Sequence, residues 1–267
     1  YNDIISKINN EVEDRLLCVD FSEIHAYAYY TDSMRKDYKL LKKVFTSELG
    51  VNRDCKMVLT PPAILELLNY YEATSQLANL HGDFSKILRI PEVARFNKAY
   101  ENYFKAKESM SDFDIAQAYR KVNDAYIGLT LYGSEQERSM GGLSFLLGIS
   151  ASDTNGPSNP TFAKAHQKFI DLIQKDVIIS LADAVDDPGR IKKLDPDFSS
   201  IKLICNSLNK EISRQYKTTN NKIDAEMGGL CVGFNNLFKS DKIFMNFFSG
   251  SYVPNKIMLS HKSQLGI

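Results

Sequence analysis

The sequence predicts an α/β protein in which a mostly parallel central sheet is flanked by helices and interrupted by a large helical insertion. Residues 16–19 and 57–59 are short, wholly apolar runs, the pattern of strands that are covered on both faces. Helical periodicity follows each run, and this alternation indicates an α/β sheet. From residue 72 to 215 the periodicity is mostly helical. A chain of 267 residues can bury one core that carries such an insertion.

The composition excludes several classes of protein. The 33 basic residues balance the 33 acidic ones, so a polyanion would have to bind a local basic patch or a metal ion. No apolar stretch is long enough to span a bilayer, and no signal peptide precedes the first strand. The four cysteines lack C-x-x-C spacing and are predicted to be reduced core residues, which favours a cytoplasmic protein with no membrane contact. Because the chain starts without methionine, we expect it to be part of a longer protein.

The first 70 residues alternate between the two patterns. An amphipathic helix is predicted over residues 1–14, and Ser22 stands where an N-cap should before an aromatic-rich helix. A further helix is predicted over residues 33–49. After the second apolar run, Thr60 and Pro61 predict a helix start, with a hydroxyl cap and a proline in the first turn.

Three apolar stripes at helical spacing occupy the middle of the chain, and they begin at Phe96, Ile115 and Phe162. Residues 148–160 form the most turn-rich stretch and predict a loop. We also expect a tight turn at residues 186–189 and a helix from residue 199 to 215.

The C-terminal part returns to the pattern of the opening. Residues 223–238 predict a helix whose small side chains permit close approach to a sheet, and residues 255–260 predict a strand. The predicted core therefore comprises residues 1–71 and 216–267, and the predicted helical insertion comprises residues 72–215.

Three carboxylates follow or face the predicted strands. Asp20 comes directly after the first strand, Glu66 lies in the helix after the second, and Asp224 opens a later helix. Carboxylate oxygens are the ligands that Mg²⁺ or Mn²⁺ prefers, and clustered carboxylates are tolerated around such a charge. The sequence therefore predicts a metal site, with these three residues as ligands, at the carboxyl edge of the sheet.

These residues resemble a PIN domain, the fold of many metal-dependent ribonucleases. Asp20 with Ser22 resembles the D-x-S of that family's first strand, and the segment from Thr60 to Glu66 resembles the strand, cap and helix that carry its second acid. Asp224 resembles the third acid. The likeness covers residues 15–75 and 218–262.

The resemblance implies hydrolysis of RNA phosphodiesters, with single-stranded DNA as a further possible substrate, and catalytic roles for the three acids and Lys262. Lys262 stands where the family has a fourth acid, so this position departs from the pattern. Ser22 and Ser260 would contact the substrate.

Simpler interpretations stay open for each residue. Asp20 could be a helix cap, Glu66 an ion-pair partner, and Asp224 a first-turn acid that complements the helix dipole. The alternative function is a catalytically inactive PIN-like module whose helical insertion, residues 72–215, serves protein interaction or assembly. A different metal-dependent phosphohydrolase, or a structural α/β domain whose acids are caps, is a third interpretation.

Overall fold

The computed structural model describes residues 14–19, 56–77, 91–130, 178–212, 220–241, 243–248, 256–257 and 260–261. The chain divides into two compact units. The first comprises residues 1–58 and 195–267, and the second comprises residues 59–194. Among the helices that the structure describes, none combines the length and apolar character needed to cross a membrane.

Four short strands form one sheet in the order β3-β2-β1-β4. They are β1 (Asp14–Val19), β2 (Lys56–Leu59), β3 (Ile178–Ser180) and β4 (Ile243–Phe248). Strand β1 is parallel to β2, with Cys18 opposite Val58, and parallel to β4, with Cys18 opposite Phe247. The strands predicted at residues 16–19 and 57–59 are therefore confirmed.

The predicted fold class is wrong. The expectation was a PIN-like α/β fold with a mostly parallel central sheet flanked by helices, whereas helices hold 74% of the described residues and the sheet is small. Strand β3 has three residues and β2 has four, so these strands contribute little backbone pairing. Strand β3 also lies within residues 72–215, where mostly helices were predicted. Packing between helices, rather than a large sheet, buries most of the described core.

Among the described residues of the first unit, two long helices accompany its strands: α4 (Phe198–Ile212) and α5 (Asn220–Leu237). Asp197 caps α4, because its carboxylate accepts a hydrogen bond of 2.6 Å from the backbone N–H of Ser200. The two helices share an apolar cluster with the C-terminal segment, to which Ile257 contributes. Residues 256–257 and 260 are helical, so the strand predicted over residues 255–260 is wrong.

The second unit contains α1 (Pro61–Leu77), α2 (Pro91–Ser109) and α3 (Asp112–Thr130). Helices α2 and α3 form a hairpin whose interface is aromatic. The rings of Phe96 and Tyr100 lie 5.2 Å apart, and those of Tyr103 and Tyr119 lie 5.0 Å apart, both edge to face. These residues belong to the stripes that the sequence predicted.

A short 3-10 helix (Pro188–Lys193) packs against α3. The turn that leads into it was predicted, and Asp187 stabilises it by accepting a hydrogen bond of 2.9 Å from the backbone N–H of Gly189. Asn123 of α3 donates a hydrogen bond of 2.6 Å to the carbonyl of Leu194, which fixes the segment that follows.

Tyr126 joins the ends of two strands in the second unit. Its hydroxyl donates to the carbonyl of Leu59 and accepts a hydrogen bond of 2.8 Å from the backbone N–H of Leu181. All three residues are buried, so Tyr126→Phe removes both bonds and leaves backbone groups without their partner. We expect the free energy of unfolding to fall by about 2 kcal/mol, as measured by urea denaturation. An unchanged midpoint would mean that this bridge contributes nothing.

Candidate functional site

The structure describes three of the residues predicted for the site: Glu66, Asp224 and Ser260. Asp20, Ser22 and Lys262 lie outside the described residues. Asp224 belongs to the first unit and Glu66 to the second, so the geometry of each is given within its own unit. The convergence of the three acids stays a prediction.

Asn235 anchors α5 on the sheet. Its side-chain amide donates a hydrogen bond of 2.9 Å to the carbonyl of Met245, and its side-chain carbonyl accepts one of 2.7 Å from the backbone N–H of the same residue. These two hydrogen bonds fix the position of α5 along β4. Met245 lies opposite Leu16 in the sheet register, so the anchor also sets the helix against β1.

One helical turn before Asn235, Cys231 lies beside Cys18 of β1. The Cys231 thiol is hydrogen bonded to Cys18, and burial raises its pKa, with the neighbouring thiol raising it further. Cys18 is two residues beyond Leu16 in the strand, whereas Cys231 is four residues before Asn235 in the helix. Helix α5 therefore runs antiparallel to β1, and its N-terminal half extends toward the edge of the sheet at which β1 ends.

Asp224 lies seven residues, or two turns, before Cys231 and hence on the same face of α5. Two turns of helix rise about 11 Å, which equals roughly three residues of strand. Asp224 is thus about three strand residues beyond Cys18 in the direction of β1, whose last residue is Val19. Its half-buried side chain therefore lies toward the carboxyl ends of the paired strands β1 and β4.

Glu66 lies in the second turn of α1. The predicted helix start is confirmed, because α1 begins at Pro61 and the backbone N–H of Ile64 donates to the carbonyl of Thr60 at 3.0 Å. Leu65 and Leu67, on either side of Glu66, are buried. Glu66 itself is half-buried, and its Oε2 atom is shielded from solvent. An ionised carboxylate in such surroundings requires compensation by a hydrogen bond or a cation.

A fourth carboxylate was not selected from the sequence. Glu226 is only 1% exposed, more deeply buried than Asp224. Two residues along a helix turn the side chain by about 200°, so Glu226 does not share the face of Asp224. Its position between Ala225 and Met227, both fully buried, was the available signal that this acid faces the interior.

Ser260 uses its hydroxyl locally. The Oγ atom donates a hydrogen bond of 2.9 Å to the carbonyl of Ile257, which closes the last helical turn. In the next position, the Nε2 atom of His261 lies 3.1 Å from the Oγ atom of Ser207 on α4. These contacts hold the segment that precedes Lys262 against α4.

Within the part of the chain that the structure describes, no three His, Cys, Asp or Glu side chains group closely enough to hold a metal ion. Asp20, the first predicted ligand, is not among those residues. Comparisons with protein-family models, with curated protein sequences and with solved structures found no match to this chain.

Proposed function

We propose that this protein is a metal-dependent endonuclease that hydrolyses RNA phosphodiesters, with Asp20 and Asp224 holding Mg²⁺ or Mn²⁺ in the first unit. The supporting observation is that the N-terminal half of α5, which carries Asp224, extends toward the edge of the sheet at which β1 ends. In the sequence, Asp20 is the residue directly after β1. Two carboxylates brought together at this edge would supply the hard oxygen donors that these cations prefer. The proposal depends on the carboxylates and does not require the PIN-like fold class.

The remaining predicted residues take supporting roles in this proposal. A bound Mg²⁺ or Mn²⁺ would act as a Lewis acid on the phosphate and the attacking water. Ser22 and Ser260 contact the substrate, and Lys262 stabilises charge that develops on the phosphate. RNA is the preferred substrate, with single-stranded DNA as a second one. The protein would act in the cytoplasm, which agrees with the absence of a disulfide at Cys18, Cys205 and Cys231.

A cleavage assay tests this function. The full chain is incubated with end-labelled RNA and single-stranded DNA of mixed sequence, with Mg²⁺, Mn²⁺ or EDTA. We expect internal RNA cleavage with either metal and none with EDTA, and Asp20→Asn removes the activity. Cleavage that survives both EDTA and Asp20→Asn would identify a contaminant. No cleavage under any condition would contradict the proposal.

The second candidate is a catalytically inactive module for protein assembly, and one observation favours it. At the tip of the α2–α3 hairpin, Met110 is 57% exposed and Phe113 is 69% exposed, although the rest of this hairpin buries its aromatic residues. Adjacent exposed apolar side chains are typical of contact surfaces. This tip lies within residues 72–215, the segment predicted to bind a protein partner.

Sedimentation of the wild type and of the double variant Met110→Ser, Phe113→Ser distinguishes this candidate. If the hairpin tip mediates self-assembly, the wild type associates with increasing concentration and the variant stays monomeric. Lys98→Ser is a suitable control, because Lys98 is an exposed residue of α2 whose contact is a 3.3 Å surface ion pair with Glu101. Equal sedimentation of all three proteins would exclude assembly through this tip.

A further inference from the structure

Two buried thiols face each other in the first unit, and the proposed nuclease chemistry uses neither of them. Cys18 of β1 is 0% exposed and Cys231 of α5 is 1% exposed. Neither forms a disulfide in this structure. They come from elements that are more than two hundred residues apart in the chain, so a bond between them would link the first described strand to the last long helix.

The position of the pair agrees with contacts that do not involve sulfur. The two hydrogen bonds between Asn235 and the backbone of Met245 set α5 against β4. Cys231 lies one turn of about 5.4 Å further along the same helix face, a length close to two strand residues. Two residues beyond Met245 is Phe247, and the register pairs Phe247 with Cys18. The backbone geometry therefore brings Cys231 level with Cys18, in agreement with the hydrogen bond between their thiols.

We propose that Cys18 and Cys231 are a redox-sensitive pair that a hydroperoxide converts into a disulfide between β1 and α5. In the first step one thiol is oxidised by hydrogen peroxide to a sulfenic acid, and one water is released. In the second step the neighbouring sulfur attacks the sulfenic sulfur, the S–S bond forms and a second water leaves. The protein loses two hydrogens, and the peroxide takes up the two electrons. This inference does not depend on the nuclease proposal.

The same surroundings determine how fast the pair reacts. Burial raises the pKa of the Cys231 thiol, so at neutral pH it is protonated, and thiols react with peroxide as thiolates. Oxidation is therefore expected to be slow until α5 separates transiently from β1. Once formed, the disulfide closes a long loop and holds α5 on the strand, which constrains the unfolded chain. The oxidised protein should therefore melt at a higher temperature than the reduced one.

Peptide mapping of the full chain tests the proposal. The protein is treated with hydrogen peroxide, alkylated, digested without reductant and analysed by mass spectrometry. We expect one cross-linked pair of peptides, containing Cys18 and Cys231, with the loss of two hydrogens and reversal by dithiothreitol. The melting temperature of the oxidised protein is expected to rise by several degrees, and reduction should restore the original value.

Variants separate this pair from the other cysteines. Cys18→Ser and Cys231→Ser should each abolish the cross-link and the thermal shift, whereas Cys205→Ser, at a half-buried position on α4, should leave both unchanged. Mapping of the wild type needs no substitution, so it decides the question even if a serine at a buried position destabilises the fold. The proposal is overturned if peroxide yields only sulfinic acids or a disulfide to Cys55 or Cys205.

Discussion

Replacing Asp224 with Asn is expected to lower the rate of metal-dependent RNA cleavage by roughly a hundredfold or more. Loss of a residue that only hydrogen bonds to a metal ligand reduces metal affinity or activity by about 10–100-fold. Because Asp224 is proposed to be a ligand itself, a larger effect is expected. The substitution conserves the size of the side chain, so the face of α5 that carries it stays intact. Single-turnover cleavage at saturating Mn²⁺ measures the chemical step, and a metal titration measures the affinity.

Thermal melting gives a second, independent measure of the same site. At a hundredfold excess over Kd, a bound metal stabilises the wild type by about 2.7 kcal/mol, and Asp224→Asn should remove this gain. Without metal the variant should be at least as stable as the wild type, because it relieves repulsion between neighbouring carboxylates. Asp186→Asn is the matched control, since Asp186 is an exposed acid in a turn of the second unit. If Asp224→Asn cleaves RNA at the wild-type rate and keeps the thermal shift, Asp224 is not a ligand.

The elements that could be predicted are those whose pattern is local. The apolar runs at residues 16–19 and 57–59, the proline start of α1 and the aromatic stripes of the α2–α3 hairpin are all found in the structure. Each depends on residues close together in sequence, either through burial on both faces of a strand or through repetition along one face of a helix.

Strand β4 was missed because its signal is not local. Its sequence, IFMNFF, places Asn246 amid aromatic and aliphatic side chains, and no clear alternation marks it. This segment forms a strand because it pairs in parallel with β1, more than two hundred residues earlier. The side chain of Asn235 also accepts a hydrogen bond from the backbone N–H of Met245. The opposite error was made at residues 255–260, where a strand was predicted. Ile257 in this segment belongs to a helical turn and packs against α4 and α5.

The fold class failed for a related reason. Alternating strands and helices over the first 70 residues suggested a large parallel sheet, yet the strands are three to six residues long and the helices supply most of the described core. Strand length is decided by how many neighbours continue the pairing, and a single sequence does not contain that information. For the site, the convergence of Asp20 and Asp224 stays a prediction, and the burial of Glu226 is set by the packing around α5, of which its apolar sequence neighbours give only a local indication.

The largest expected effect on stability comes from Gly233→Ala in α5. A Cβ atom at this position would lie 2.1 Å from the carbonyl oxygen of Asp195 and 3.1 Å from the Cα atom of Pro196. Both are backbone atoms, so no rotation of a side chain can relieve the clash, and α5 must move away from residues 195–197. We expect the free energy of unfolding to fall by about 3 kcal/mol, as measured by urea denaturation.

Two other glycines make this prediction specific. At Gly229, on the same helix, an added Cβ would lie 2.3 Å from the Cγ1 atom of Ile201 and 2.9 Å from the carbonyl oxygen of Asp197. The backbone clash is less severe than the one at Gly233, so Gly229→Ala should cost less than Gly233→Ala. At Gly128 in α3, no atom lies within 4 Å of an added Cβ, and the higher helix propensity of alanine should stabilise the protein by up to about 1 kcal/mol. From the most to the least stable protein, the expected order is therefore Gly128→Ala, wild type, Gly229→Ala and Gly233→Ala. Equal stability of Gly128→Ala and Gly233→Ala would mean that α5 does not pack closely on residues 195–197.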